Sequence, residues 1–295
     1  MFLKNFWLKL TNNPEYQKTR NEDLRKKVIL SFKNEHEKEI NIIRKKIYQQ
    51  SELNFLHSGH AADIVNVLPV IKKLSESHKC NLYIQINKPI KSYFRHPAGK
   101  YYLNDKIFNM LFPLLNNQKY LNKVEKFDNQ KIDINFDLLR DLPINLLFDN
   151  ATYANVITGV KANLFEPFLE ADDHREIKNK IIIQRSYRYR NDLINYKFLN
   201  QYNDIFFVGT VEEFEDLKKE VKNLNFYDCK DFLDMASVVK SSRFVVANSS
   251  ITFPIAEGLQ VPRILEASPV FPAAQPHGKN AFSVYFQSHF EEKFN

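Results

Sequence analysis

The sequence has few cysteines, few glycines and no long apolar run. Cys80 and Cys229 show neither a CxxC pair nor a zinc-ligand spacing, so they predict buried thiols in a reducing compartment, with no disulfide framework and no metal site. No apolar run approaches the roughly 20 residues of a membrane span. The six glycines form neither G-x-G-x-x-G nor the P-loop pattern, which leaves a standard dinucleotide or P-loop site without support.

The composition is that of a globular protein with a mild excess of basic residues. Hydrophobic residues make up 44% of the 295 residues, which is enough for one large domain or two of ordinary size. The net charge of +7 favours anionic partners, namely phosphorylated ligands, acidic lipid headgroups or nucleic acid. Nucleic acid ranks last, because the chain shows no recognisable RNA-binding module.

The first 50 residues predict helices and leave two roles open. The N-terminal segment is amphipathic, with Lys4 and Lys9 as its basic residues. Its apolar residues are Phe2, Leu3, Phe6, Trp7 and Leu10. Such a segment lies in a membrane interface or packs on the protein's own body, and the second interpretation, with Trp7 on the body, is favoured. Basic runs at 25–27 and 44–46 are typical of solvated helix faces, with contact to lipid phosphate or nucleic acid as the alternative.

A strand, a glycine-containing turn and a helix open the first α/β segment. Residues 54–56 predict a short strand, and apolar residues at helical spacing predict a helix over 64–74. Asp63 stands in the first turn of that helix. It either caps the helix and complements its dipole or faces a cleft at the carboxyl end of the strand, where open α/β sheets bind their ligands.

Residues 243–266 repeat this organisation near the end of the chain. A buried strand over 243–247 stops at Asn248-Ser249-Ser250, Thr252 predicts the cap of a short helix, and a second strand follows over 263–266. Such a unit places backbone N–H groups and hydroxyls around an anion. A capped helix that binds nothing is the alternative.

A basic, aromatic loop follows the buried strand predicted over 180–184. Its sequence is Arg185-Ser186-Tyr187-Arg188-Tyr189-Arg190. Because arginine offers bidentate donors to phosphate, Arg185 and Arg188 are candidates for phosphate binding. A surface loop with Arg–Tyr stacking is the first alternative, and stacking on nucleic-acid bases is a weaker one.

Together the two motifs resemble glycosyltransferase family 9, the lipopolysaccharide heptosyltransferase group. In that family a first strand leads through a Ser-rich turn to Gly-Asp-Ile/Val and then Leu-Pro, and residues 57–74, HSGHAADIVNVLPVIKKL, are similar. The family's second signature is a strand, Asp-Thr/Ser-Gly and a helix that runs into a Gly-x-Pro turn. Asn248-Ser249-Ser250 and residues 258–262 stand at those places. The resemblance covers 53–267 and predicts a divergent member.

The resemblance implies an α/β fold with two Rossmann-like domains in a GT-B arrangement, facing each other across a cleft. The predicted division is a helical extension over 1–50, an acceptor-side domain over 51–175, a donor-binding domain over 176–275 and a C-terminal helix over 276–295 that packs back on the first domain. Between the motifs, the sequence predicts a strand over 133–139, a turn over 140–143 and loops over 155–169.

The resemblance also implies roles for single residues. Asp63 matches the family's proposed general base, which takes the proton of an acceptor hydroxyl as the new bond forms. The predicted donor phosphate and nucleotide site consists of Arg185, Arg188, Asn248, Ser249, Ser250 and Thr252. Glu257 would bond a sugar or ribose hydroxyl, or would be a solvated carboxylate. The predicted acceptor-side turn consists of Ser58, Gly59 and His60.

The implied function is that of an inverting, metal-independent glycosyltransferase without a cofactor. Its substrates would be a nucleotide-sugar donor and a cell-surface glycan or lipid-linked acceptor. It would act in cell envelope biogenesis in the cytoplasm, peripherally at the inner face of a membrane, with residues 1–50 as the contact. Ala62, Asn248 and Phe253 depart from the family pattern. The departures at Asn248 and Phe253 support the alternative of a degenerate GT-B module that binds a nucleotide or glycan without turnover.

Overall fold

The chain forms two parallel α/β units preceded by a helical segment. The computed structural model describes residues 2–90, 99–140 and 149–294. The turn predicted over 140–143 lies partly outside these ranges. Among the described helices, none combines the length and the apolarity that crossing a bilayer requires.

Residues 2–49 are helical apart from Asn12, as the sequence predicts. The extension consists of α1 (Phe2–Thr11), α2 (Asn13–Ser31), a π-helical turn (Phe32–His36) and α3 (Glu37–Gln49). Asn12 begins α2, because its side-chain oxygen accepts a hydrogen bond from the backbone N–H of Glu15 at 3.2 Å. The π-helical turn joins α2 to α3 without a break in the helix.

The expected packing of Trp7 on the protein body is wrong. Trp7 is 66% exposed, because α1 packs on α2, a helix that itself has no buried residue. The extension joins the body through α3, whose Ile43 is buried in the main core.

The first sheet has four parallel strands in the order β3-β2-β1-β4. Its strands are β1 (Glu52–His57), β2 (Lys79–Ile84), β3 (Lys123–Lys126) and β4 (Ile134–Asn135), and its helices are α4 (Ala61–Ser75), α5 (Asp105–Asn116) and α6 (Tyr153–Thr158). The apolar residues at helical spacing in α4 are fully buried, so hydrophobic burial fixes the face that α4 turns to the sheet.

The second sheet has six parallel strands in the order β10-β9-β8-β5-β6-β7. Its strands are β5 (Ile181–Gln184), β6 (Ile205–Phe207), β7 (Asn225–Phe226), β8 (Phe244–Ala247), β9 (Arg263–Glu266) and β10 (Ala281–Val284). Its helices are α7 (Val211–Lys218), α8 (Phe232–Lys240), α9 (Thr252–Leu259) and α10 (Gln287–Phe294). Two parallel sheets with helices on their faces confirm the predicted pair of Rossmann-like units.

The two units pack on each other through helices. α5 contacts α8, and α4 contacts α9, within one continuous apolar core. Gly258 of α9 allows the segment that connects the units to approach closely: a Cβ atom there would lie 2.5 Å from Cγ of Leu169 and 2.9 Å from Cε2 of Phe168. The backbone N–H groups of Phe168 and Leu169 both donate to the Gly258 carbonyl, at 2.8 and 2.9 Å.

Three sequence predictions fail in detail. The strand predicted over 133–139 is a two-residue strand followed by a 3₁₀ turn, Phe136–Arg140. The loops predicted over 155–169 begin instead with the end of α6, which stops at Gly159 with φ of 71°. The C-terminal segment is β10 followed by α10, and α10 packs on its own sheet. Its Phe290 and Phe294 lie against aromatic side chains of the second domain rather than the first.

Candidate active site

Both sheets change strand order where the sequence predicts a site. In the first sheet β1 lies between β2 and β4, and in the second sheet β5 lies between β8 and β6. Because all of these strands run parallel, the loops that follow β1 and β4, or β5 and β8, leave the same sheet edge and diverge. Open α/β sheets bind ligands in the crevice at such a switch point.

Asp63 caps α4 and also lines the cleft between the two domains. Its Oδ2 accepts a hydrogen bond from the backbone N–H of His60 at 3.1 Å, which satisfies one of the free N–H groups at the helix start. The same oxygen lies 3.2 Å from Nη2 of Arg140. The side chain of Asp63 remains 24% exposed. Both predicted positions of Asp63, helix cap and cleft wall, therefore occur together.

A buried cluster of charged side chains lies behind the first turn of α4. Asp137 accepts hydrogen bonds from the backbone N–H of Ser58 at 3.0 Å and from the Ser58 hydroxyl. Lys88 Nζ and Arg140 Nη1 approach the same carboxylate at 2.8 and 2.7 Å. Burial would raise the pKa of Asp137, but the His57 ring and these donors hold it well below the usual range. Ser58 therefore anchors Asp137 and does not line the cleft.

Burial and Arg140 together set the charge of the turn before α4. Burial would raise the pKa of Asp63, but the Arg140 guanidinium holds it below its ordinary value. Burial and Arg140 lower the pKa of His57 to about 4. Burial also lowers the pKa of His60, whose ring contacts Tyr102. At neutral pH the turn thus presents an ionised carboxylate beside two neutral imidazoles.

Ser249, Ser250 and Arg188 line the opposite wall of the cleft. The Oγ of Ser249 is buried and makes no hydrogen bond to a described residue. Arg188 stacks over the Tyr189 ring at 4.4 Å, and no carboxylate in the described ranges forms an ion pair with it. A buried hydroxyl without a partner and a guanidinium without a counterion are the groups that an anionic ligand would satisfy.

Asn248 connects the two loops of this second wall. Its Oδ1 accepts from the backbone N–H and the hydroxyl of Ser186, both at 3.1 Å, and its Nδ2 donates to the Ser186 carbonyl at 2.8 Å. The side chain is fully buried, so Asn248 cannot reach a ligand in this arrangement. It fixes the loop that carries Arg188 against the loop that carries Ser249.

Arg185 does not reach the cleft, and its predicted contact with donor phosphates is not supported. Its guanidinium is buried, with Nε and Nη2 at 2.8 and 3.1 Å from the carboxylate of Glu266. Nη2 also donates to the Ile194 carbonyl at 2.9 Å, and the guanidinium stacks on Tyr196. Arg185 follows β5 directly, and its side chain reaches past the adjacent β8 to Glu266, the last residue of β9.

Two further candidates are held by the protein itself. Thr252 is the first residue of α9 and not its cap. Its buried hydroxyl lies 3.3 Å from Sδ of Met235 in α8. Glu257 lines the cleft, but one of its oxygens pairs with Arg263 and the other accepts the backbone N–H of His277 at 3.0 Å. Glu257 is buried, so the solvated alternative is wrong, and its role toward a ribose hydroxyl stays a prediction.

Gly59 of the predicted acceptor-side turn is packed too closely to carry a side chain. A Cβ atom there would lie 2.6 Å from Cε1 of His57 and 2.7 Å from Oδ2 of Asp63, and it would also overlap Nη2 of Arg140. His60 is the residue of this turn that lines the cleft. Within the described ranges, no group of three or more His, Cys, Asp or Glu side chains is arranged to hold a metal ion.

Sequence reasoning missed Asp137, Arg140, Asp149 and His277. The first two lie just after β4, and a polar residue that follows a buried strand at a switch point is the signal that could have found them. Asp149 lines the cleft, and its Oδ2 lies 2.7 Å from Nε2 of His277. This pair joins two distant segments of the chain, for which the sequence offers no signal.

No protein-family model and no curated protein matches the sequence. Solved structures do match. A glycosyl transferase family 9 structure from Veillonella parvula DSM 2008 shares 10% identity at a TM-score of 0.55, over 82% of this chain and 88% of that chain. The bacterial iron-containing dodecameric glycosyltransferase TibC from enterotoxigenic E. coli H10407 shares 11% identity at a TM-score of 0.50, over 79% of this chain and 62% of that chain.

These similarities show the fold. The two parallel sheets and their helices are the two Rossmann-like halves of a GT-B arrangement, as predicted. The resemblance to glycosyltransferase family 9 is confirmed at the level of structure. At such low identity the likeness shows the fold and not an activity.

Proposed function

We propose that the protein is an inverting, metal-independent glycosyltransferase that uses a nucleotide-sugar donor. The observation that carries this proposal is the meeting of two kinds of group in one cleft. Asp63 lies on one wall, and Ser249, Ser250 and Arg188 lie on the other. Each wall is the switch point of its own sheet, where GT-B-like folds have room for a ligand.

The chemistry follows from these two walls. Asp63 takes the proton of the acceptor hydroxyl while that oxygen bonds to the anomeric carbon, and the bond from this carbon to the diphosphate breaks. The electron pair of the broken bond leaves with the nucleoside diphosphate, whose growing negative charge the Arg188 guanidinium and the serine hydroxyls stabilise. Attack from the wall opposite the leaving group inverts the anomeric carbon.

The donor nucleotide can be ranked from one structural neighbour. TibC is described in a complex with ADP-D-β-D-heptose, in a structure that matches at a TM-score of 0.50. ADP is therefore the first nucleotide to test, ahead of UDP, GDP, CDP and CMP. We propose a cell-surface glycan or lipid-linked molecule as the acceptor, in keeping with the family resemblance.

The test is a thermal-shift panel with those five nucleotides. A ligand at 100 times its dissociation constant should stabilise the fold by about 2.7 kcal/mol. A Ser249→Ala/Ser250→Ala double variant should lose this stabilisation, and a Ser77→Ala/Ser288→Ala variant, altered only at exposed serines, should keep it. If none of the five nucleotides shifts the melting temperature at millimolar concentration, the proposed donor site is contradicted.

A degenerate module that binds but does not transfer is the second candidate. Its support is the departure from the family pattern at Asn248, which the structure shows to be buried and held by Ser186. Nucleotide binding without transfer to any acceptor, and without slow donor hydrolysis, would favour this candidate over the enzyme.

We also propose that residues 1–50 bind an anionic membrane surface. These residues carry 12 Lys and Arg against 6 Asp and Glu, whereas the other 245 residues carry 30 against 29. Six of the seven net positive charges of the chain therefore lie in the extension. Apolar side chains are exposed on it as well, notably Phe6, Trp7 and Leu10 at 54, 66 and 69%. Basic residues next to exposed aromatic residues favour binding to a lipid interface. They favour it over binding to nucleic acid or to the equally basic extension of a second copy of the chain.

Trp7 makes this proposal directly measurable, because it is the sole tryptophan of the chain. Vesicles of phosphatidylcholine with phosphatidylglycerol should shift its fluorescence to shorter wavelength, and salt should reverse the shift. Vesicles of phosphatidylcholine alone should have a smaller effect. An unchanged spectrum with both vesicles, or a response to oligonucleotides at physiological salt only, would overturn the membrane contact.

A further inference from the structure

Arg140 contacts two carboxylates, that of Asp63 in the cleft and that of Asp137 behind it. It ends the 3₁₀ turn that follows β4, and its side chain is 22% exposed. Nη1 lies 2.7 Å from Oδ1 of Asp137, and Nη2 lies 3.2 Å from Oδ2 of Asp63. The guanidinium also lies over the Tyr102 ring, with Cζ 4.6 Å from the ring centroid. Three contacts therefore fix its plane and its two donor edges.

The groups behind Arg140 hold it in place. Asp137, its inner partner, is itself held by Ser58 and Lys88. Gly59 leaves the space that the guanidinium occupies, because a side chain at this position would overlap Nη2 of Arg140 and Oδ2 of Asp63. The absence of a side chain at residue 59 is thus a requirement of this arrangement.

The hydrogen bonds of Asp63 are unevenly shared between its two oxygens. Oδ2 accepts from both the His60 backbone and Arg140. Oδ1 accepts no hydrogen bond from the described residues, although the side chain lines the cleft. A carboxylate held through one oxygen presents its other oxygen in a fixed direction.

We propose that Arg140 is a positioning residue that holds Oδ2 of Asp63 so that Oδ1 receives the proton of the acceptor hydroxyl. This inference rests on the proposed transferase function. Arg140 itself exchanges no proton in this step: the acceptor proton moves to Oδ1, the acceptor oxygen bonds to the anomeric carbon, and the nucleoside diphosphate leaves with the electron pair. The gain comes from orientation, since a misplaced base costs about 10²-fold in rate.

The pH dependence of turnover separates positioning from a merely structural role. The rate should rise with pH as Asp63 loses its proton. Arg140 holds the pKa of Asp63 low against the effect of burial, so Arg140→Met should move this rise to higher pH. It should also lower kcat by about 10- to 100-fold at neutral pH, with KM for the donor unchanged. Arg140→Lys keeps the positive charge but loses the two donor edges of the guanidinium. Compared with Arg140→Met, it should therefore restore the pH profile more fully than kcat.

Two controls keep the outcomes distinct. Arg175→Met changes an exposed arginine and should leave kcat and the profile as in the wild type. Gly59→Ala should separate Arg140 from Asp63, because the added Cβ would overlap both side chains, and it should move the profile in the same direction as Arg140→Met. An active wild type whose Arg140 variants keep both kcat and the profile would overturn the positioning role alone. A folded, nucleotide-binding wild type without transfer would overturn the proposed function and the positioning role with it.

A direct titration does not depend on turnover. Carbon NMR of the Asp63 carboxyl should give a higher pKa in Arg140→Met than in the wild type. An equal pKa in the two proteins would show that Arg140 does not hold this carboxylate, and would overturn the inference even if both variants folded normally.

Discussion

The two walls of the cleft are built on opposite principles. On the first wall, the charged groups satisfy one another: Asp137 is held by Ser58, Lys88 and Arg140, and Arg140 reaches Asp63. On the second wall, Ser249 has a buried hydroxyl without a described partner, and Arg188 has no described counterion. The first wall holds the Asp63 carboxylate in position, and the second wall presents a hydroxyl and a guanidinium that an anionic ligand would satisfy.

This difference fits a reaction in which the two domains have separate tasks, as the proposed transfer requires. A group that acts as a base must be oriented before the acceptor arrives, which requires supporting contacts within the protein. Groups that bind a diphosphate must instead be free to exchange water for phosphate oxygens. Under the proposed function, the internal contacts of Arg140 and Asp137 orient the base, and the Ser249 hydroxyl, which has no described partner, binds the diphosphate together with the Arg188 guanidinium.

Neutralising Asp63 should have the largest effect on turnover. Asp63→Asn should lower the transfer rate by about 10²- to 10⁴-fold, because the amide cannot take the acceptor proton. Steady-state assays with a saturating donor would measure this loss. Asp172→Asn, at an exposed site of the same residue type, should keep full activity. Full turnover in Asp63→Asn would show that the base is elsewhere.

Substitutions on the wall of Arg188 and Ser249 should weaken nucleotide binding rather than slow proton transfer. Arg188→Met removes a charge-assisted contact worth about 1.5–3 kcal/mol, so the dissociation constant for the nucleoside diphosphate should rise by about 10- to 150-fold. Calorimetric titration gives the value. Arg185→Met should affect the free energy of unfolding more than the affinity, because Arg185 is buried against Glu266. Equal losses of affinity in the two variants would contradict the assignment.

The hydrogen bonds between Asn248 and Ser186, which join the loop of Ser249 to the loop of Arg188, should contribute to the free energy of unfolding. Asn248→Ala removes three hydrogen bonds to Ser186 in a fully buried position. Leaving buried partners unsatisfied costs about 1–3 kcal/mol in the free energy of unfolding, which urea denaturation would measure. Asn163→Ala, at an exposed site, should cost much less. A stable Asn248→Ala protein with normal nucleotide affinity would show that the connection is dispensable.

A small pH effect should arise at the ion pair of His277 with Asp149. The hydrogen bond from Nε2 to Asp149 raises the pKa of His277 above its ordinary value. Stability from this pair is therefore fully present below about pH 6.5, the unfolded value, and is lost as pH rises through the folded pKa. Urea denaturation of the wild type and Asp149→Asn should show a difference in unfolding free energy that shrinks from pH 6 to pH 9. A difference independent of pH would contradict this assignment.

The residues of the two walls differ in how far the sequence alone can predict them. Ser249 and Ser250 lie in one continuous strand–turn–helix unit, so local pattern suffices to find them. Asp63 is found in the same way from the turn before α4. Arg140 meets Asp63 across 77 positions of sequence, and its own segment was predicted as a strand and a turn. No local pattern reports such a contact.

The neighbouring arginines show a second limit. Arg185 and Arg188 look equivalent in a basic loop, yet one is buried against Glu266 and the other lines the cleft. Their separation depends on the backbone path of a short 3₁₀ turn, Tyr187–Tyr189, which the sequence does not reveal. The alternation of strands and helices, in contrast, follows from periodicity within short segments, and the two-domain GT-B arrangement follows from the family resemblance.

The most direct measurement is the dissociation constant of ADP for three proteins: the wild type, Asp63→Asn and Arg188→Met. If the walls divide the reaction as proposed, Asp63→Asn should bind ADP within about twofold of the wild type, and Arg188→Met should bind it at least about tenfold more weakly. Equal weakening in both variants, or an Arg188→Met protein with wild-type affinity, would contradict the division of the cleft into an acceptor wall and a donor wall.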